Sequence, residues 1–469
     1  MARARKLLVP HLGFPSLNLI ARFRNEANRV RPTCLFSRGI RVRSLVLICF
    51  LLALAGPEFA RAEQSPEADV SRVASNPRFK AAQKVLMSEH GRTVADIIRL
   101  TEIPAPPFGE ARRAAEVRKD FEALGLKDVA IDAEGNVTGV RPGLRTAGRG
   151  PFLVVAAHLD TVFPEGTDVR VRRDGWRLAA PGVGDNTRSL ATLLAWIRAL
   201  DAAGLKTDSD ILFVANVGEE GQGDLRGMKA LFGKGSYAGR ISAFFSVDGS
   251  DPAGVVTRGV GSNRYRVVFS GPGGHSYGAF GIVNPMAAMA GAISGLYALT
   301  PPASPKTTYS ASVAGGGTSV NTIPASVFVE VDLRSEDPKA LAELDRGFRS
   351  AVDRAVAAEN AARSTALGPV KAELKVLGER PAGMTASDSR LVRITRAAIT
   401  AQGFTAEEEA SSTDSNIPMS LGIPAVTIGA GGRGGRAHAP DEWIDVEPVE
   451  MVRGMSAGLL AIVAQAGVR

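Results

Sequence analysis

The sequence predicts an α/β fold: a mostly parallel-sheet domain with a ferredoxin-like α+β domain inserted into it. Three observations carry this expectation. Strand-length apolar runs at 151–158, 209–217, 241–247 and 425–431 alternate with helical patterns such as 188–204, the order of a parallel sheet. Between 258 and 377 the pattern changes to β-α-β-β-α-β, that of a ferredoxin-like sandwich. The length, 469 residues, exceeds what one core usually serves, so two domains are expected.

Residues 1–62 read as a cleavable signal peptide. An Arg-rich stretch precedes the apolar run SLVLICFLLALAG at 44–56, and Ala60-Arg61-Ala62 closes an Ala-x-Ala cleavage pattern. The run is shorter than the about 20 residues a membrane span needs. An uncleaved anchor is the alternative. The leader carries eleven Lys/Arg and two acids, net +9, in a chain of net +8, which leaves −1 for the remainder. The basic balance therefore belongs to the leader and gives no reason to expect nucleic acid. Both cysteines, Cys34 and Cys49, also lie there. The rest suits a secreted or periplasmic setting without disulfides.

The remaining elements follow in order. Residues 63–79 are polar and read as a linker. A first portion of the large domain spans 80–257, with amphipathic helices at 80–100 and 109–124 separated by IPAPPFGE. The inserted domain at 258–377 holds strands at 263–271, 307–315, 326–334 and 370–377. Its helices are 284–299, with Asn at the cap and Pro in the first turn, and 337–360. Residues 378–469 return to the large domain with a helix at 391–403 and the strand at 425–431.

Chemistry concentrates where strands end. VVAAHLD delivers His158 and Asp160, PGVGDNT Asp185, VANVGEE Glu219 and Glu220, FFSVDGS Asp248, and GGRAHAPDEW His438. Sites in open α/β sheets form beyond the carboxyl ends of the strands. Imidazole with carboxylate suits zinc, with cobalt or manganese as alternatives. Two ions need a shared ligand and terminal ligands on each side. Without Asp160 there are six candidates, one more than a bridging carboxylate and two pairs require. The sixth is free to act as general base. Spacing alone does not decide which glutamate that is. Singly, each Asp could cap a turn. The case rests on their joint occurrence.

The ordered set HLDTV, GVGDNT, GEEG, VDG, GGHS, VNTIPA, VDLR and HAPDEW resembles the di-zinc exopeptidase family of carboxypeptidase G, peptidase T, aminoacylase and succinyl-diaminopimelate desuccinylase. The resemblance covers roughly residues 80–469. It implies a two-metal hydrolase of amide bonds in small peptides or N-acyl amino acids, with the inserted domain as lid and dimerisation domain. Asp185 would bridge, His158 and Asp248 would hold one metal, and Glu220 and His438 the other. Glu219 would be the general base and Asp160 would orient His158. His275 is similar to the histidine that stabilises the tetrahedral oxyanion, often across a lid-mediated dimer. Asn321 and Arg334 resemble the substrate-contacting pair, Arg suiting a terminal carboxylate. STDSN at 412–416 takes the place of a family segment, but its flanks depart from the Gly-rich form around Asp414.

Simpler readings stand beside these. His275 could be a packed turn residue, Arg334 a surface arginine, and His90 a structural histidine. GHSYG at 274–278 matches G-x-S-x-G, with Ser276 as nucleophile and Asp414 and His438 following. That motif needs a helix directly after the serine, whereas the helical pattern begins near Asn284. A non-catalytic peptide-binding protein on the same scaffold is a further alternative.

Overall fold

The computed structural model describes residues 65–468, so the expected leader lies outside the described residues. The expected linker is in part a helix, α1 (Pro66–Ser75). Ser65 caps it, Pro66 occupies its first turn, and Val70 and Val73 are buried. Residues three apart share a helix face, so an otherwise polar segment still carries an apolar stripe. Asp69 holds α1 to the second half of the chain through Arg390, at 2.5 Å. The single helix expected at 80–100 is two, α2 (Pro77–Ser88) and α3 (His90–Thr101), broken at Glu89. Next comes α4 (Ala111–Ala123).

The large domain continues through β1 (Lys127–Ile131), β2 (Val137–Arg141), β3 (Phe152–His158), α5 (Arg188–Ala202), β4 (Asp210–Asn216), α6 (Arg226–Gly233), β5 (Ile241–Val247) and β6 (Gly254–Gly259). The inserted lid is β7 (Gly261–Ser270), α7 (Pro285–Tyr297), β8 (Thr307–Gly316), β9 (Ser326–Ser335), α8 (Pro338–Ala362) and β10 (Lys371–Arg380). The chain then returns with α9 (Arg390–Ala401), β11 (Glu407–Ser411), β12 (Ala425–Ile428) and α10 (Pro448–Ala466). The lid therefore runs from 261 to 380 rather than 258 to 377, because β6 pairs with β12 and β11 in the large sheet.

Nine strands form that sheet, in the order β1-β2-β4-β3-β5-β12-β6, with β11 and the short strand 383–384 both on β6. The run β4-β3-β5-β12 is parallel throughout. Every residue of β3 and β4 is buried, as expected where helices cover both faces. Trp196 of α5 donates to the Met455 carbonyl of α10 at 3.0 Å. Helix α10 is long and apolar enough to cross a membrane, but 78% of its apolar window is buried inside the protein. It is a core helix here.

The lid has the expected β-α-β-β-α-β order. Its four strands run β8-β9-β7-β10, all antiparallel. One face packs on α7 and α8 through Val267, Phe269, Leu333 and Phe348. The central strand β9 alternates between buried and half-buried residues, the period-2 signature of a sheet covered on one side.

Candidate active site

Strands β4, β3, β5 and β12 end on one edge, and the candidate residues gather there. His158 closes β3 and is buried. Its Nδ1 lies 3.0 Å from the Asp160 backbone carbonyl. A carbonyl only accepts, so Nδ1 carries a proton and Nε2 is the ring atom turned towards the carboxylates. That Nε2 has Asp185 Oδ1 at 3.0 Å and Asp248 Oδ1 at 3.8 Å. From the other side, His438 Nε2 lies 3.1 Å from Asp185 Oδ2 and 2.9 Å from Glu220 Oε1. Asp185 thus offers one oxygen to each imidazole.

Among the described residues, three sets of ligand atoms lie within 4.8 Å of one another: His158, Asp185 and Asp248; Asp185, Glu220 and His438; and His158, Glu219 and Glu220. Gly218 turns the chain off β4 at φ 71°, a conformation that favours glycine. Glu219 and Glu220 follow it and are both buried. Asp160 lies beside His158, where it was expected to orient the ring. Its carbonyl orients His158, while its carboxylate stays 3.7 Å from the ring. The carboxylate instead accepts the backbone N–H groups of Glu219 at 3.1 Å and Glu220 at 2.8 Å. One aspartate therefore positions both the imidazole and the glutamate turn.

Two supporting residues escaped the sequence reading. Glu442 accepts the backbone N–H groups of Gly182, Gly184 and Asp185 at 3.0, 2.7 and 2.8 Å, cradling the turn that presents Asp185. Its place in HAPDEW beside His438 was the available signal. Arg380, from the end of β10, pairs with Glu219 at 3.1 Å, and nothing local marked it. Asp414 is buried behind the cluster and accepts from Asn216 Nδ2 at 2.8 Å.

The other lid residues lie apart from the cluster. His275 and Asn321 are exposed neighbours, linked by the Ser276 N–H donating to the Asn321 carbonyl at 2.9 Å. They flank the end of β7 and the start of β9, opposite to the end where Arg380 meets Glu219. Ten residues of strand span about 30 Å. Arg334 lies at the near end, across from Ser262, which faces Arg380 on its other side. Directly opposed residues share a sheet face, so Arg334 and Arg380 point the same way. Arg334 currently pairs with Asp332 at 2.7 Å. No helix follows Ser276 directly. The next begins at Pro285, which removes the nucleophile-elbow context. His90 Nε2 donates to the Val446 carbonyl at 2.9 Å, a hydrogen bond that ties α3 to the segment ahead of α10.

The electrostatics call for cations. Burial pushes Glu219 well above the usual carboxylate range despite Arg380, raises Glu220, and pushes Asp414 up to about 7. Hydrogen bonds to Asp185 and Glu220 raise His438 to about 10. Burial opposes protonation of His158, and Asp185 and Asp248 overcome it, so it too is raised. Both histidines hold Asp185 below its ordinary value against its own burial. The shifts show a site richer in buried carboxylate than in positive charge of its own. His158 Nε2 and Asp185 Oδ1 are buried and face each other at 3.0 Å, and neither has a further hydrogen-bond partner. The buried, convergent ligand atoms, the imidazole–carboxylate set and the excess of acids all fit divalent metal.

An α/β sheet that gathers such donors at its carboxyl edge, interrupted by a ferredoxin-like insertion, defines a metallopeptidase-type hydrolase. The chain belongs to peptidase family M20/M25/M40, whose profile residues 154–462 match. Over 229 residues it is 30% identical to a peptidase T-like protein of Rhizobium meliloti, covering 40% of this chain and 52% of that protein. The chain thus spans about half the length of that curated relative. The solved aminopeptidase PepT from Bacillus cereus shares the fold at TM-score 0.65 and 21% identity, over 80% of this chain and 98% of that one. The Bacillus subtilis YXEP protein, described as a dinuclear metal binding peptidase, aligns at TM-score 0.59 and 18% identity, over 81% and 99%.

Proposed function

We propose that the protein is a dinuclear-metal exopeptidase acting on short peptides, with N-acyl amino acids as the alternative substrate class. One observation carries this reading: Asp185 turns one carboxylate oxygen to His158 and the other to His438. That is the disposition of a bridging ligand. His158 and Asp248 would hold one ion, and Glu220 and His438 the other. Zinc suits these donors, with cobalt or manganese as substitutes. Two such ions would polarise the scissile carbonyl and lower the pKa of the attacking water.

The remaining steps belong to the chain itself. Glu219, buried beside the donors, takes the proton of the attacking water and returns it to the leaving amine. Asp160 keeps Glu219 and Glu220 in register through their backbone N–H groups. Arg334 faces the cluster end of the lid and suits a substrate carboxylate. His275 and Asn321, at the opposite lid end, would serve a second copy of this chain as oxyanion and substrate contacts in a lid-mediated homodimer. The tripeptide aminopeptidase reading is favoured over the carboxypeptidase one by the peptidase T-like relative and the solved aminopeptidase. Residues 1–62 would export the chain to the periplasm and be removed after Ala62.

The test is a substrate panel on metal-analysed protein: tripeptides, C-terminally blocked peptides and N-acyl amino acids, with and without chelator. Chelator-sensitive cleavage of a free peptide end is expected. Turnover that ignores chelator, or two bound ions with no turnover on any class, would overturn the reading.

A further inference from the structure

The turn that carries Glu219 and Glu220 is tied directly to the lid. Arg380, the last residue of β10, is 4% exposed. Its Nη1 donates to Glu219 Oε1 at 3.1 Å and to Ser412 Oγ at 3.2 Å. Its Nη2 donates to the backbone carbonyl of Glu219. One residue earlier, the Glu379 N–H donates to both oxygens of Asp224, at 2.9 and 3.1 Å. Asp224 lies on the same turn as Glu219. A Cβ on Gly378 would meet Asp224 Oδ1 at 2.9 Å, so a side chain there would have to push the Asp224 carboxylate aside. Arg264 of β7 adds a third tie, to the Gly221 carbonyl at 3.4 Å.

We propose that Arg380 is a positioning residue: it fixes the aim of the Glu219 carboxylate, and the seating of β10 on the glutamate turn thereby sets the base. The proposal rests on Glu219 being the general base. A planar guanidinium that grips both the carboxylate and the carbonyl of one residue closes a ring around its side-chain torsions. Oε1 and the carbonyl are committed, which leaves Oε2 to accept the proton. Arg334, on the same sheet face, makes the contrast. Its side chain is 38% exposed, against 5% for Arg380. The exposed arginine is available to substrate, and the buried one is occupied by the base. Lid and base are thus one mechanical unit, so a lid movement that lifts β10 releases Glu219 from its aim.

The experiment compares metal-loaded wild type with Arg380→Lys, Arg380→Ala, Asp224→Asn and Glu219→Gln, on the tripeptide that wild type cleaves best. Turnover, KM, bound metal and inhibition by the released amino acid are measured for each. Arg380→Ala is expected to lower kcat about 100-fold, within the range of a lost general base, with KM and product inhibition changed less than about threefold and metal content unchanged. Arg380→Lys should recover part of kcat, and Asp224→Asn should lose a smaller part. A raised KM with kcat kept would overturn the proposal in favour of substrate reading. Loss of metal in step with kcat would overturn it in favour of a purely structural role. Should Arg380→Ala fail to fold, unchanged kcat in both Arg380→Lys and Asp224→Asn would overturn it equally. Glu219→Gln separates the two ideas. Full turnover there sinks the base assignment, whereas its loss beside an intact Arg380→Ala sinks only the positioning role.

Discussion

The large sheet and the lid sheet obey different packing rules. In β3 and β4 every residue is buried, and the strands deliver their functional side chains only at their ends. In the lid, β8 and β10 are largely exposed, β9 alternates, and functional candidates sit along the sheet face or at its tip. Burial on both sides leaves the strand-end donors little freedom, which suits ligands that must keep sub-ångström positions. A sheet with one open face can instead meet substrate, or another chain, without losing its core. The difference implies that changes at the large-sheet edge should remove chemistry outright, while changes in the lid should alter its efficiency.

The largest expected effect is at the proposed shared ligand. Asp185→Ala should abolish binding of both ions and all turnover, measured by metal analysis beside activity. Glu219→Gln comes next: turnover should fall about 10²–10⁴-fold while both ions stay. Asp160→Ala removes the acceptor for two backbone N–H groups and should weaken metal affinity about 10–100-fold, read by competition with a chelating dye. In the lid, Phe348 is 1% exposed and packs near Tyr265 at 6.3 Å. Phe348→Ala should destabilise that core by about 3–5 kcal/mol in calorimetry, and metal stoichiometry should not change. If metal binding fell with lid stability, the two regions would not be separable as described.

A pH dependence sharpens the same contrast. His438 is raised from 6.5 to about 10, so without metal its favourable contribution is complete below 6.5 and is lost as pH rises towards 10. Glu219, Glu220 and Asp414 are raised by burial. The unfolded chain loses those protons first, and the folded state is penalised progressively as pH rises above their unfolded values. Both effects have one sign. Metal-stripped protein should lose stability from pH 5 to 9 in thermal melts, and added divalent metal should flatten that slope.

The large sheet was legible because its buried runs end abruptly in His, Asp and Glu, and because period and order together marked the inserted domain. Strands β1 and β2 were passed over: β1 is mostly exposed, so it carries no apolar run to detect. Helix α1 hid its stripe of Val70 and Val73 in a polar stretch. Among site residues, those delivered by a strand end could be read locally. Glu442 was marked only by its place in HAPDEW and Arg380 by nothing local, because each acts on backbone groups or side chains supplied by distant segments. The sequence reading of Asp160 covered only the His158 ring, which its carbonyl meets; the hold of its carboxylate on the glutamate turn depends on a distant segment and was not legible.

The most direct test is a calorimetric titration of Zn²⁺ into chelator-stripped protein. The account expects two sites per chain, both lost in Asp185→Ala. A single site, or two sites that survive that substitution, would contradict the shared-ligand centre on which everything else depends.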